Sequence, residues 1–498
     1  MARRSIGVSA DHHHYKWWAL SCTSLGMLLA TVNSGTLVIA LPNLEQALGV
    51  DLLTLVWVIL AYMIASTVLV LTFGRLSDVF GRKQAYVAGF LIFSLSSLGA
   101  GFASGGTDLI LWRIVQGVGA ALIFANASAL VTDAFPREQL GVAMGTNVMV
   151  AAVGLVLGPV LGGVLVEISW HWVFWFNVPF GLLGTVWAAL VLRELVRPEA
   201  ERGFDWWGTI ALVVGLTGLT YGISRGGLVG WGDALTLVPI AVAVVLLPLF
   251  VVIEKYARSP MLDLSLFADR GFSSATAASF VAGLSRFSLT FVFVLYFQGA
   301  LGDDPILAGV KLAPLAVGML ISSPLAGRWA DQHGARTLAA GGLVVSGLGM
   351  AGMTILDTQT AYAITAALLF VTGIGSGMFN SPNTAAMMGA VPVHRRGIAA
   401  GTRMMLQNTG SVLSIAILLA IVTSAVPKET LLSIFSGLTT GLSSAALDPF
   451  IHNLHVAMWV LAATSFVGAG ISLLRPTRKQ EQAHELLQAD LAVADAHR

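Results

Sequence analysis

Four cations sit where lipid would be: Arg113, Arg286, Lys311 and Arg403 each fall inside a long apolar stretch, and no such stretch carries an Asp or Glu in its interior. A charge near the bilayer centre costs at least roughly 2.5 kcal/mol, so it faces a watery cavity or a partner group and is a functional candidate by default. Arg286 is the deepest, near the middle of its stretch. Arg113 lies about one turn inside the end of its own, with Gln116 a turn further on making a polar face. Lys311 is close to a stretch end, where a long side chain snorkels. A guanidinium offers a planar fork of donors, so the chemistry within reach is anion recognition. Asn33, Asn126, Asn147, Asn380, Asn383 and Asn408 add amides, and Trp57 and Tyr62 aromatic surface, to this candidate substrate cavity. Amides inside lipid must be bonded. They do so either to substrate or across a helix bundle, and both readings stay open. No G-x-x-x-x-G-K-[ST] or H-E-x-x-H segment is present, so an ATP-driven pump or an enzyme is not expected.

The elements that must position these groups are membrane helices. The chain is 56% hydrophobic and 11% charged, against roughly 25% charged in soluble domains. Fourteen apolar runs, at 17–41, 52–73, 85–104, 109–132, 141–166, 170–192, 206–224, 234–253, 272–297, 305–327, 337–356, 361–390, 397–425 and 456–474, are each about the length that crosses a bilayer. They do not alternate as barrel strands do, and lipid leaves their backbone groups only helical partners. Of the 27 Lys and Arg, only Arg225 and Lys428 fall in external segments if the N-terminus is cytoplasmic. That bias places both termini inside. The first run is long and lacks an A-x-A site, so it reads as a retained helix. Cys22 is the sole cysteine, which excludes an internal disulfide.

The chain also repeats itself. Gly74, Arg75, Asp78, Gly81, Arg82 and Lys83 follow the second run, and a degraded copy with Gly327, Arg328, Asp331, Gly334 and Arg336 follows the tenth. Gly141, Gly145 and Thr146 open the fifth run as Gly397, Gly401 and Thr402 open the thirteenth, at nearly the same offset. Two six-helix halves are expected, with runs seven and eight inserted between them: 1–16 a tail, 17–204 the first half, 205–255 the insert, 256–474 the second half and 475–498 a tail. At that offset Arg286 matches Asn33, and Arg403 matches Asn147. In the loop after run two the glycines permit a tight turn. Asp78 can oppose a helix N-terminus or an Arg, an interaction that makes a latch if it breaks in another conformation. Gly154, Gly158 and Gly162 recur every four residues beside Pro159 and Gly163, a smooth stripe for close helix packing with a kink.

The G-x-L-x-D-x-x-G-R-K loop resembles the signature loop of the major facilitator superfamily. Leu109 to Ala121, with Arg113, Gln116, Gly117 and Gly119, resembles its fourth-helix motif, and Gly154 to Gly163 its exporter motif on helix five. Fourteen runs with all three look like the drug:proton antiporter branch, and the segment Thr31 to Asn33 resembles an actinobacterial-type subgroup of lipid and drug exporters. The resemblance implies gating by Gly74, Asp78, Gly81, Arg82 and Asp331 and a place for Arg113 in the transport path. It implies that span five seals the cavity against span thirteen, and that spans one and nine line it. The chain departs from the pattern at Asn33, where many such exporters have Asp, and at Leu140, where Arg is usual. An amide cannot take up a proton near neutral pH. Glu45, Asp108, Asp133 and Glu167 are the carboxylates near cavity ends. The expected function is efflux of a hydrophobic or amphipathic compound from a bacterial inner membrane by alternating access, coupled to a proton gradient with no cofactor or metal. A lipid flippase or facilitator without protons, and a non-transporting receptor, are the alternatives. Expected partners are the substrate and membrane lipids, with no nucleic acid, and the chain is expected to be monomeric.

Overall fold

The computed structural model describes residues 14–136, 139–194, 205–257, 260–391, 396–423, 426, 430, 434 and 444–476. Among them the chain is helical, with no strand. The long helices are α1 Tyr15–Ile39, α2 Leu52–Phe80, α3 Arg82–Ala100, α4 Gly106–Ala134, α5 Leu140–Ile168, α6 Asn177–Val191, α7 Trp206–Val229, α8 Ala234–Tyr256, α9 Arg270–Val294, α10 Pro305–His333, α11 Ala335–Gly352, α12 Tyr362–Gly389, α13 Arg396–Thr423 and α14 Ser444–Leu473. Twelve described helical segments are long and apolar enough to cross a membrane. α3 is not among them, and within α5 only the shorter apolar segment Leu157–Ile168 stands out.

Acids stop at the ends of these helices, where they do useful work. Asp205, Asp269 and Asp304 cap α7, α9 and α10 by accepting from the backbone N–H of Gly208, Phe272 and Leu307, satisfying donors that a helix start leaves open. α14 starts well before the expected residue 456, because polar residues there hid a helical segment. Phe450 and Leu454 are buried, and Asn453 donates 3.2 Å to the Val422 carbonyl. Tertiary packing outweighs a run of mixed hydropathy.

Packing repeats between the halves. In the first, α1 lies on α5, α2 on α4, and α3 on α4 and α6; in the second, α9 lies on α13, α10 on α12, and α11 on α12 and α14. The two motif loops repeat as well: Gly81 (φ +102°) joins α2 to α3, and Gly334 (φ +88°) joins α10 to α11. The halves meet where α5 packs on α10 and where α2 packs on α13, and α7 of the inserted pair touches α2 and α13. The expectation that span five seals against span thirteen is therefore corrected. The glycine stripe of α5 faces α1 and α10, while α13 packs on α9, α7 and α2.

Candidate functional site

The first half holds a buried polar cluster built from five helices and centred on Arg113. The side chain is 1% exposed. Its Nε donates 3.0 Å to the Val58 carbonyl, Nη1 donates to Gln116 Oε1, and the guanidinium carbon lies 4.2 Å from the centre of the Tyr62 ring. Gln116 Nε2 donates onward to Ser97 Oγ (2.6 Å) and Asn33 Oδ1 (3.2 Å). Asn177 Nδ2 donates to the same Asn33 oxygen at 3.2 Å. The one-turn spacing of Arg113 and Gln116 on α4 puts both on one face. α1 supplies Asn33, α2 Tyr62, α3 Ser97 and α6 Asn177. Asn33 Nδ2, the Tyr62 hydroxyl and Asn177 Oδ1 are buried without a hydrogen bond to the protein.

Arg113 is thus solvated by a carbonyl, an amide and a π face, and among the described residues no carboxylate forms a salt bridge with it. A desolvated cation held this way attracts an anion. Asn177 and Ser97 are members that the motif reading missed. The signal available for Asn177 was an amide inside the expected span 170–192, obscured by its Trp-rich start.

The glycine stripe forms two seams on α5. A Cβ on Gly158 would stand 2.8 Å from the Gly35 Cα of α1, and one on Gly154 or Gly162 would strike Thr31 or Thr36. Gly163 faces the other half: a Cβ there would lie 2.5 Å from the Pro305 carbonyl oxygen, and one on Gly309 2.4 Å from that of Pro159. Small residues permit this close approach, the main source of helix affinity in lipid. At the same end of the bundle α9 finishes as a π-helix, Leu295–Ala300, whose Gln298 donates 3.1 Å to the Ile39 carbonyl of α1. π-turns often mark functional positions, and sequence gave no sign of this one.

The opposite end carries the motif loop. Arg82 Nη1 donates to both carboxylate oxygens of Asp133 at the end of α4, at 2.7 and 2.8 Å. Glu194, past α6, accepts from the backbone N–H groups of Arg82 (3.0 Å) and Lys83 (3.1 Å), capping α3. Gly81 is required twice over. Its φ lies in the region that disfavours a side chain, and a Cβ would stand 2.7 Å from Glu194 Oε2. A Cβ on Gly74 would meet only ordinary contact with Ala125. The side chains of Asp78, Asp331 and Arg286 lie outside the described residues.

The other expected cavity residues are dispersed. Asn147 ties α5 to α1 through Thr23 (3.3 Å) and Ser24 (2.8 Å). Asn383 joins α12 to α9 through Ser279 and accepts from Arg475. Asn126 and Asn380 donate to carbonyls one turn back on their own helices. Arg403 donates to Gln407 on α13, and Asn408 beside it is half-buried. The Trp57 ring centre lies 5.8 Å from that of Tyr221 on α7. Lys311 bonds Asp303 as an ion pair. Of the end carboxylates, Asp108 accepts from the Ser104 N–H. Burial raises the Glu45 carboxyl above its ordinary value, on the short helix Leu41–Leu48.

These features have close relatives. The chain matches the Major Facilitator Superfamily over residues 23–268 and 275–489. It is 31% identical over 468 residues to the "Uncharacterized MFS-type transporter EfpA" of Mycobacterium tuberculosis, covering 92% of this chain and 86% of the relative. It is 30% identical to the "Multidrug resistance protein Stp" of the same species over 80% of this chain and 74% of that one. It is 32% identical to the "Puromycin resistance protein pur8" of Streptomyces alboniger, covering 82% of each. A crystal structure of a bacterial homologue of the human lysosomal transporter Spinster, inward-facing and unoccupied, shares the fold, with TM-score 0.66 at 14% identity over 93% of this chain and 97% of that one. Motif loops, doubled packing and sequence relatives agree, and the chain belongs to the Major Facilitator Superfamily.

Proposed function

We propose that this chain is a secondary efflux transporter that expels hydrophobic or amphipathic compounds across a bacterial inner membrane by alternating access, with inward proton flow as the drive. In this reading α3 and α5 also cross the bilayer, giving fourteen spans with both termini in the cytoplasm. The names of the relatives, multidrug and puromycin resistance, support efflux. The observation that carries the substrate class is Arg113: a buried cation bonded to Gln116 and stacked on Tyr62, with no salt bridge among the described residues. It suits an amphipath with an anionic head. Arg286, matched to Asn33 by the internal repeat, is proposed to serve the same cavity from the second half.

A facilitator that does not use protons is the second reading, favoured by Asn33 standing where a carboxylate is usual. Flux in proteoliposomes, measured with and without an imposed pH gradient for anionic and cationic amphipaths, tests both. Gradient-stimulated movement that prefers anions is the expected result. Equal flux without a gradient sinks proton coupling, and no flux of either class sinks transport of this substrate class.

A further inference from the structure

A cavity lies outside the Arg113 cluster, between the first half and the inserted helices. This cavity, of about 680 Å³, is lined by Thr54 and Trp57 of α2, Ile110 of α4, Val214 and Tyr221 of α7 and Val242 of α8. Pockets of roughly 300–1,000 Å³ hold small molecules. Its wall on α7 runs from Val213 to Tyr221, about 12 Å at 1.5 Å per residue, along the direction in which lipid tails run. Val214, Val238 and Val242 line it while remaining 43%, 59% and 38% exposed, so its flank is open where α7 and α8 face hydrocarbon. No charged side chain lines it. Beyond one end of it, a turn past Tyr221, Arg225 pairs with Asp233 at 2.8 Å.

An apolar cavity open at its side to lipid tails, with an ionic rim, has the chemistry of an acyl-chain site. We propose that this cavity binds one acyl chain of a bilayer lipid. The inserted helices α7 and α8 then create a lipid-binding site that the two six-helix halves alone would lack. The site is independent of which compound is exported.

The test uses the full chain in vesicles of phosphatidylethanolamine and phosphatidylglycerol containing a phospholipid with a diazirine-bearing acyl chain, irradiated and mapped by peptide mass spectrometry. Labelling should concentrate on Trp57, Tyr221 and Val242. Val214→Trp and Val242→Phe, partly exposed positions that fill the slot, should each lose that labelling, while Val245→Trp on the outer face of α8 should keep it. Labelling spread evenly over the lipid face of α8 and unchanged by filling overturns the proposal. So does displacement of the label by tetraphenylphosphonium as effective as that by unlabelled lipid, which would assign the slot to a soluble hydrophobic solute.

Discussion

The Arg113 guanidinium stacks 4.2 Å from the centre of the Tyr62 ring, and the carbonyl of Val58, one turn earlier on α2, accepts from its Nε. One helix therefore supplies both the π face and the acceptor that hold a cation contributed by another. A desolvated cation–π contact contributes about 2 kcal/mol, and a hydrogen bond to a charged group about 1.5–3 kcal/mol. Together they offset much of the cost of placing the charge within the membrane while leaving its charge uncancelled. The electrostatic field that remains is available to an incoming anion.

Replacing Arg113 by Ala removes that field. Affinity for an anionic amphipath should fall by about tenfold or more, the equivalent of at least about 1.4 kcal/mol, with little change for a cationic one. Arg113→Lys should keep part of the affinity, since charge survives without the planar fork. Calorimetric titration of purified protein with both ligand classes reads the difference. If both classes weaken equally alongside a lowered melting temperature, Arg113 is a packing residue.

Asn33 sits in a site shaped for an oxygen acceptor. Gln116 and Asn177 both donate to Oδ1, whereas Nδ2 finds no hydrogen bond. A carboxylate would keep both donors, replace the unpaired N–H with a second acceptor, and lie near Arg113. Asn33→Asp should therefore fold with a melting temperature close to that of the parent and gain a titratable group inside the cluster. Transport should become more steeply dependent on external pH and should extend toward cationic substrates. Flux across a pH series checks this; an unaltered profile in a well-folded variant would show that this site takes no part in coupling.

These two residues also mark what was legible in the sequence. Arg113 and Gln116 could be paired because both lie on one helix, where spacing fixes the face. Asn177 could not be joined to Asn33, because which amides converge depends on how five helices rotate about their axes. The stripe of Gly154, Gly158 and Gly162 announced a close approach but not its partner, which proved to be α1, while Gly163 beside it meets α10. Arg82 reads as a gating residue from its motif alone; its bond to Asp133 and the capping by Glu194 join three segments distant in sequence. Trp57 read as cavity surface, yet its ring contacts the insert. Helices were readable from local composition, while contacts needed the assembled bundle.

Gly158 and Gly163, five residues apart, should behave differently when enlarged. Gly158→Leu places bulk against Gly35 within the first half, so overpacking on the order of 1–3 kcal/mol should lower stability. Gly163→Leu places it against Pro305 of the other half. That variant should retain its melting temperature and favour the conformation in which α5 and α10 separate. Single cysteines introduced at either end of the bundle, with Cys22 replaced, would report the bias by their labelling from each side. Indistinguishable labelling of Gly163→Leu and parent would mean that the α5–α10 seam does not move.

The Arg82–Asp133 pair provides the sharpest test of the loop. Its side chains are 23% and 14% exposed, so solvent screens them only in part, and both carboxylate oxygens are engaged. Arg82→Asp sets two carboxylates together beside the capped start of α3, and Asp133→Arg sets two cations together. Each should cut flux severely with the protein still inserted, and the double variant should recover a substantial fraction because the pair is restored in reverse. A loop that only fixes orientation by positive charge gives a different pattern. Arg82→Asp alone would then disturb topology, Asp133→Arg would be harmless, and the double variant would show no rescue. Proteoliposome flux for the four proteins, alongside protease protection to read topology, distinguishes a latch from a topological signal.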